Sequence, residues 1–158
     1  MPHQNPSDDQ LRKLLTDART IAMVGASSSP DKPSHGIMKK MLAGGYRVIP
    51  VNPRESEVFG EPSYKALTDV PGHVDVVNVF RAPDAVPAIA SEAVAIGAGS
   101  LWCQFTVINE EGARIAEAGG VNVIMDRCMK VEHARYIGRM HWLGFNTQRI
   151  TSVRGGLQ

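Results

Sequence analysis

"MVGASSSPDKPS", Met23 to Ser34, is the stretch on which the fold turns. It follows an apolar run and precedes an amphipathic one, the order of a buried strand, a ligand-binding turn and a helix. Yet Gly25 has no second glycine before Gly36, whereas a dinucleotide fingerprint places three close together. The turn has the position of a nucleotide site and the composition of something else.

Working outward, five short runs are β-branched or apolar and nearly continuous: "TIAMVG" (20–25), "YRVIPVN" (46–52), "VDVVNVF" (74–80), "SLWCQF" (100–105) and "VNVIMD" (121–126). Continuous rather than alternating apolar runs belong to strands buried on both faces. Helical patterns separate them. The first opens with Ser34 as N-cap, puts Ile37, Met38, Met41 and Leu42 on one stripe, and stops at Gly44 and Gly45. The next starts near Pro83 and runs to Gly97 with Val86, Ile89, Ala90 and Ala93 inside. A third starts at Asn109 and stops at Gly119; a fourth spans about 129–140.

The link from Asn52 to Val74 is longer and irregular, with one short helix expected at 63–67; long loops at such places are often functional. Residues 1–19 read as a polar leader with a short helix at 8–18, residues 20–143 as the domain, and 144–158 as a mobile tail or a contact in a homo-oligomer. The expected fold class is therefore α/β: a Rossmann-like doubly wound sheet of five mainly parallel strands in the order 3-2-1-4-5, with helices on both faces.

At 158 residues and 43% hydrophobic, the chain is large enough for one complete core. Its 17 basic and 16 acidic residues leave a net charge of +1, so no global field draws it to nucleic acid or an anionic membrane. The start lacks the basic-then-apolar order of a secretory signal, and no apolar run approaches the roughly 18 residues of a membrane span, which points to the cytoplasm. Cys103 and Cys128 are too few for a disulfide framework and lack zinc-finger spacing, so both are expected as free thiols.

In a doubly wound sheet, ligands bind beyond the carboxyl ends of the strands. Gly25, Ala26 and Ser27 offer backbone N–H groups near the start of a helix, where a phosphate is favoured. After the second strand an NAD site places an acid for the ribose hydroxyls, but here Val51 is followed by Asn52, Pro53 and Arg54, with Glu55 and Glu57 a few residues late. Arg54 suits an added phosphate instead, and Lys32, Arg47 and Arg81 are further cations near strand or loop ends. An adenine nucleotide with more than two phosphate charges fits these residues, which leaves NADP and coenzyme A.

At this point the sequence resembles the small bacterial coenzyme A-binding proteins, stand-alone relatives of the N-terminal domain of the succinyl-CoA synthetase α subunit. The resemblance runs from about Thr20 to Arg135 and is carried in order by "VGASSSPDKPSHGI", "GYRVIPVNP", "VDVVNVFR", "LWCQF" and "VIMDRC". It implies a coenzyme A pocket in which Gly25, Ala26, Ser27, Lys32 and Ser34 match the family's first loop and cradle phosphates. Val51, Asn52 and Pro53 close the second matched run, with Arg54 adjoining near the adenosine end. Phe80 and Arg81 match the turn after the third strand, and Gln104 the polar residue closing the fourth. The family has a glycine two residues after that glutamine, where this chain has Thr106.

Chemistry is harder to find. The synthetase's phosphorylated histidine belongs to a domain outside the region of resemblance, and His3, His35, His73, His133 and His141 form no recognisable triad or zinc pair. Cys128 lies at the ligand edge beside Arg127 and before a helix start, surroundings that activate thiols, and is a candidate contact for the coenzyme A thiol. Three readings follow: a non-catalytic binding module for coenzyme A or an acyl-CoA, a small NADP-dependent oxidoreductase, or a scaffold that has lost its ligand. No catalytic residue and no metal ligand is expected.

Overall fold

A computed structural model describes residues 2–138. Met140, His141, Trp142 and the expected tail at 144–158 lie outside the described residues. The chain begins with α1 (Asp8–Asp17), β1 (Thr20–Val24), α2 (Pro33–Ala43) and β2 (Arg47–Val51). A small antiparallel hairpin, β3 (Glu57–Val58) and β4 (Glu61–Pro62), and a 3-10 turn (Leu67–Asp69) fill the long link to β5 (Val76–Val79). Then follow α3 (Val86–Ala95), β6 (Ser100–Cys103), α4 (Glu110–Ala118), β7 (Asn122–Ile124) and α5 (Met129–His133), which continues as a wider π-helical turn, Ala134–Gly138. The helix expected at 63–67 is absent; Tyr64 instead bridges to Val51.

The five long strands are all parallel, as their continuous apolar character requires. Their order corrects the expectation. It is β2-β1-β5-β6-β7, which in sheet-strand numbering is 2-1-3-4-5 rather than 3-2-1-4-5. Two sequence features explain it. The third sheet strand, β5, is wholly buried, as an interior strand must be, including Asn78 in its middle. β2 contains Pro50, which cannot donate to a ladder and suits an edge. The Pro50 carbonyl and Asn52 N–H both face away from β1, pairing with Tyr64 at 3.1 and 2.8 Å. Proline's missing donor therefore falls on the outer side of the sheet.

Two apolar cores flank the sheet. One packs α3, α4 and the Leu67–Val74 segment against residues such as Val77, Leu101 and Val123. The other packs α1, α2 and α5 against Ile21, Met23, Trp102 and Ile124. The segment read as a leader is built into this second layer. Ser7 and Gln10 form a capping box at the start of α1, while Leu11 and Leu15 are buried. The Asn5 side chain pairs with both the N–H and the carbonyl of Met125, at 2.8 and 2.9 Å, like a short added strand beside β7.

Candidate functional site

The strand order reverses between β1 and β5, so the chain leaves their carboxyl ends in opposite directions and opens a crevice there. Gly25 stands at its base with φ +93°. A Cβ at this position would lie 2.3 Å from the Phe80 carbonyl oxygen, so no side chain fits and the left-handed backbone demands glycine. This single glycine lets the end of β1 touch the end of β5. Beyond it the loop is stitched by Ser29 N–H to Ser27 Oγ (3.0 Å) and Lys32 N–H to the Ser29 carbonyl (3.1 Å). Ser34 does not cap α2. Lys32 is the cap residue, Pro33 takes the first helical position, where its missing N–H costs nothing, and Ser34 is buried inside the first turn.

After β2, the Asn52 side chain donates to the Ala26 carbonyl (2.7 Å) and accepts from Arg54 N–H (2.9 Å), tying the second strand's loop to the first. A turn closed by Glu55 N–H to the Asn52 carbonyl (3.2 Å) brings Glu55 back over the first loop. There its carboxylate accepts from the Ser28 N–H (3.0 Å) and hydroxyl (2.9 Å). These donors, the backbone N–H first, hold Glu55 below the usual carboxylate range.

The floor is a buried polar chain. Gln104 donates to the Asn78 side-chain oxygen and accepts from Met129 N–H (3.3 Å), and Asn78 donates to the Met129 sulfur (3.3 Å). Gln104 thus fastens β5, β6 and the start of α5 together. A turn follows in which Val107 N–H bonds the Gln104 carbonyl (2.9 Å) with Thr106 at φ +71°, the third-position conformation of a type II turn. This is the site of the expected glycine. Asp126, itself at φ +59°, holds the Thr106 N–H at 2.6 Å. Trp102 anchors the neighbouring loop by donating to the Arg127 carbonyl (2.9 Å). Cys103, inside β6, has its thiol pKa pushed up to about 12 by burial, as a core cysteine does.

These loops border a cavity of about 680 Å³, lined by the cations Lys32, Arg54 and Arg81, by the apolar Ile37, Phe80, Phe105 and Val107, and by Gln104 and Cys128 among others. Such a volume, with three cations set among apolar side chains, accommodates an elongated anionic cofactor with an apolar portion. The residues present therefore fit coenzyme A. A family model described as a CoA binding domain matches residues 19–134.

The chain belongs to the CoA-binding domain family. It is 40% identical over 131 residues to the uncharacterized protein YneT of Bacillus subtilis, covering 83% of this chain and 97% of that one. It is 32% identical over 130 residues to the α subunit of ADP-forming acetate–CoA ligase II from Pyrococcus furiosus, covering 72% of this chain but only 27% of that subunit. Among solved structures, a hypothetical protein from Pyrococcus horikoshii matches with TM-score 0.82 and 34% identity over 87% of this chain and all of the other. A Thermus thermophilus protein matches with TM-score 0.79 and 38% identity, covering 83% and 99%.

In this CoA-binding domain, ten of the residues singled out from sequence line one cavity: Gly25, Ser27, Lys32, Ser34, Asn52, Arg54, Phe80, Arg81, Gln104 and Cys128. Ala26, Val51 and Pro53 do not line it. Ala26 is buried beneath the first loop with its carbonyl held by Asn52, Val51 is buried in β2, and Pro53 is exposed. Arg47 begins β2, at the opposite end of the strand. The structure adds Pro33, Ile37, Glu55, Phe105 and Val107. Ile37 carried a signal, since the same stripe that faces the core ends at the cavity. Phe105 ends a run expected as strand, but the strand stops at Cys103 and in the turn that residue is 68% exposed. At the last helix Arg135 approaches Glu132 and Asp8, each at 3.8 Å, while Asp126 serves the Thr106 turn.

Proposed function

We propose that this protein is a cytoplasmic binding module that holds coenzyme A or an acyl-CoA without turning it over. The observation that carries the reading is the convergence of Lys32, Arg54 and Arg81, from three separate strand ends, on one cavity at the switch point. In this reading Gly25, Ser27, Lys32 and Ser34 receive phosphates, Asn52 and Arg54 shape the adenosine end, and Phe80, Arg81 and Gln104 flank the rest; Ala26, Val51 and Pro53, off the lining, take no direct part. Cys128, partly exposed on the lining, lies by the thiol. The matches to CoA-binding domains lend nothing to the NADP-dependent oxidoreductase.

The test is a thermal-shift titration with coenzyme A, acetyl-CoA, dephospho-CoA, NAD and NADP, because a ligand that binds only the folded state raises Tm. The expected result is a rise with coenzyme A that shrinks when the 3′-phosphate is absent; a rise with NADP alone overturns the proposal. The Cys128 contact has its own readout. Its thiolate attacks one sulfur of coenzyme A disulfide, forming a mixed disulfide and releasing one coenzyme A thiol. Mass spectrometry should find the adduct in the wild type and lose it in Cys128→Ser.

A further inference from the structure

Glu55 contributes the only carboxylate to the cavity lining among the described residues. Its two oxygens take the Ser28 N–H at 3.0 Å and the Ser28 hydroxyl at 2.9 and 3.1 Å. Both sides of this clasp are fastened. The Asn52–Glu55 turn is closed by its own backbone, and the Asn52 side chain ties that turn to the first loop through the Ala26 carbonyl. Glu55 is therefore held by the fold at the loop rather than being a surface acid that swings free.

The surrounding charge gives this placement a consequence. Lys32, Arg54 and Arg81 make the cavity attractive to anions, and the Glu55 carboxylate on the same lining is itself an anion, held in place by Ser28, which is not on the lining. A fixed carboxylate and a phosphate in one cavity repel each other. We infer that Glu55 is a built-in anion held against the phosphate-binding loop, so that a phosphorylated ligand binds against its charge. Resting on the binding proposed above, this makes Glu55 the residue that limits affinity and sets how much negative charge the cavity accepts.

The experiment measures binding of coenzyme A and, separately, inorganic pyrophosphate by calorimetry to wild type, Glu55→Gln, Glu55→Ala and Glu57→Gln. Glu55→Gln keeps the length and an acceptor for Ser28 while removing the charge. Binding should tighten about fivefold for both probes, the scale of one unit charge removed at short range in a partly solvated site. Glu57, exposed on the neighbouring hairpin, controls for net charge, and its variant should bind as wild type does. Amide hydrogen exchange at Ser28 should be faster in Glu55→Ala, which reads the clasp without any ligand.

Unchanged or weaker binding in Glu55→Gln, with the wild type binding normally, overturns this inference and leaves the coenzyme A reading intact; Glu55 is then a strut for the loop. An equal gain in Glu57→Gln overturns it as well. If neither probe binds any of the four proteins, the coenzyme A reading falls and takes this one with it.

Discussion

The two edges of the same parallel sheet are built in opposite ways. At the amino edge, Asp75 accepts from the N–H groups of Arg19 (2.8 Å) and Thr20 (2.9 Å), and its own backbone bonds Thr20 and Ser100. Burial works to raise the Asp75 pKa, but those two N–H donors, with His73 at 3.2 Å, outweigh it and hold the carboxyl below its usual value. At the carboxyl edge, Gly25, Thr106 and Asp126 all have left-handed backbones, and three cations face a cavity. The amino edge spends its polar groups on itself. The carboxyl edge leaves Lys32, Arg54 and Arg81 without an ion pair among the described residues, at a cost in strain, and that is where a ligand can be held.

Substitutions at the two edges should therefore separate stability from binding. Gly25→Ala should have the largest effect, because it collides with the Phe80 carbonyl and forces a side chain onto φ +93°. A loss of about 2–3 kcal/mol in denaturant unfolding is expected, together with loss of ligand-induced stabilisation. Lys32→Ala should weaken coenzyme A binding at least about tenfold, in keeping with a lost hydrogen bond to a charged group, while Tm without ligand stays unchanged. A matching fall in Tm would break the contrast.

Asp75→Asn should do the reverse, costing about 1–2 kcal/mol of stability with coenzyme A affinity retained. The sign with pH follows from its lowered value. The folded carboxyl resists protonation more than the unfolded one, so its contribution is complete above the unfolded value near 3.8 and is lost as pH falls through the still lower folded value. Acid unfolding of Asp75→Asn should accordingly be less steep over that range. Thr106→Gly should have the smallest effect. It relieves a left-handed β-branched residue, worth about 1–2 kcal/mol, against about 0.5–1 kcal/mol of glycine entropy. A net gain of between zero and about 1.5 kcal/mol, seen as a small rise in Tm, is expected.

Much of this architecture was legible because it is local. The continuous apolar runs marked the five strands within a residue or two at most ends, and Asn109 capped α4 by accepting from Gly112 N–H as its sequence suggested. Gly25 was readable as part of a ligand-binding turn but not as a position where only glycine fits, since Phe80 lies 55 residues away. Strand order was misread because a doubly wound sheet can grow from β1 in either direction with the same pattern of elements. Pro50 held the clue, yet an edge is a relation between strands, not a property of one. Ser34 misled because it is a good cap residue, whereas Pro33 before it already fixes the helical start.

What the sequence by itself determined is the five sheet strands with the helices between them, the parallel sheet, and a first loop and strand ends bearing Lys32, Arg54 and Arg81. Each follows from periodicity, capping or side-chain charge over a few residues. Only the tertiary structure decided that β5 lies beside β1, that Glu55 folds back onto Ser28, and that Thr106 takes a glycine's conformation under the hold of Asp126. Those outcomes depend on contacts between residues 20 to 50 or more positions apart, as with Thr106 and Asp126 or Ile21 and Val76, whose free energy exists only once the whole sheet has assembled.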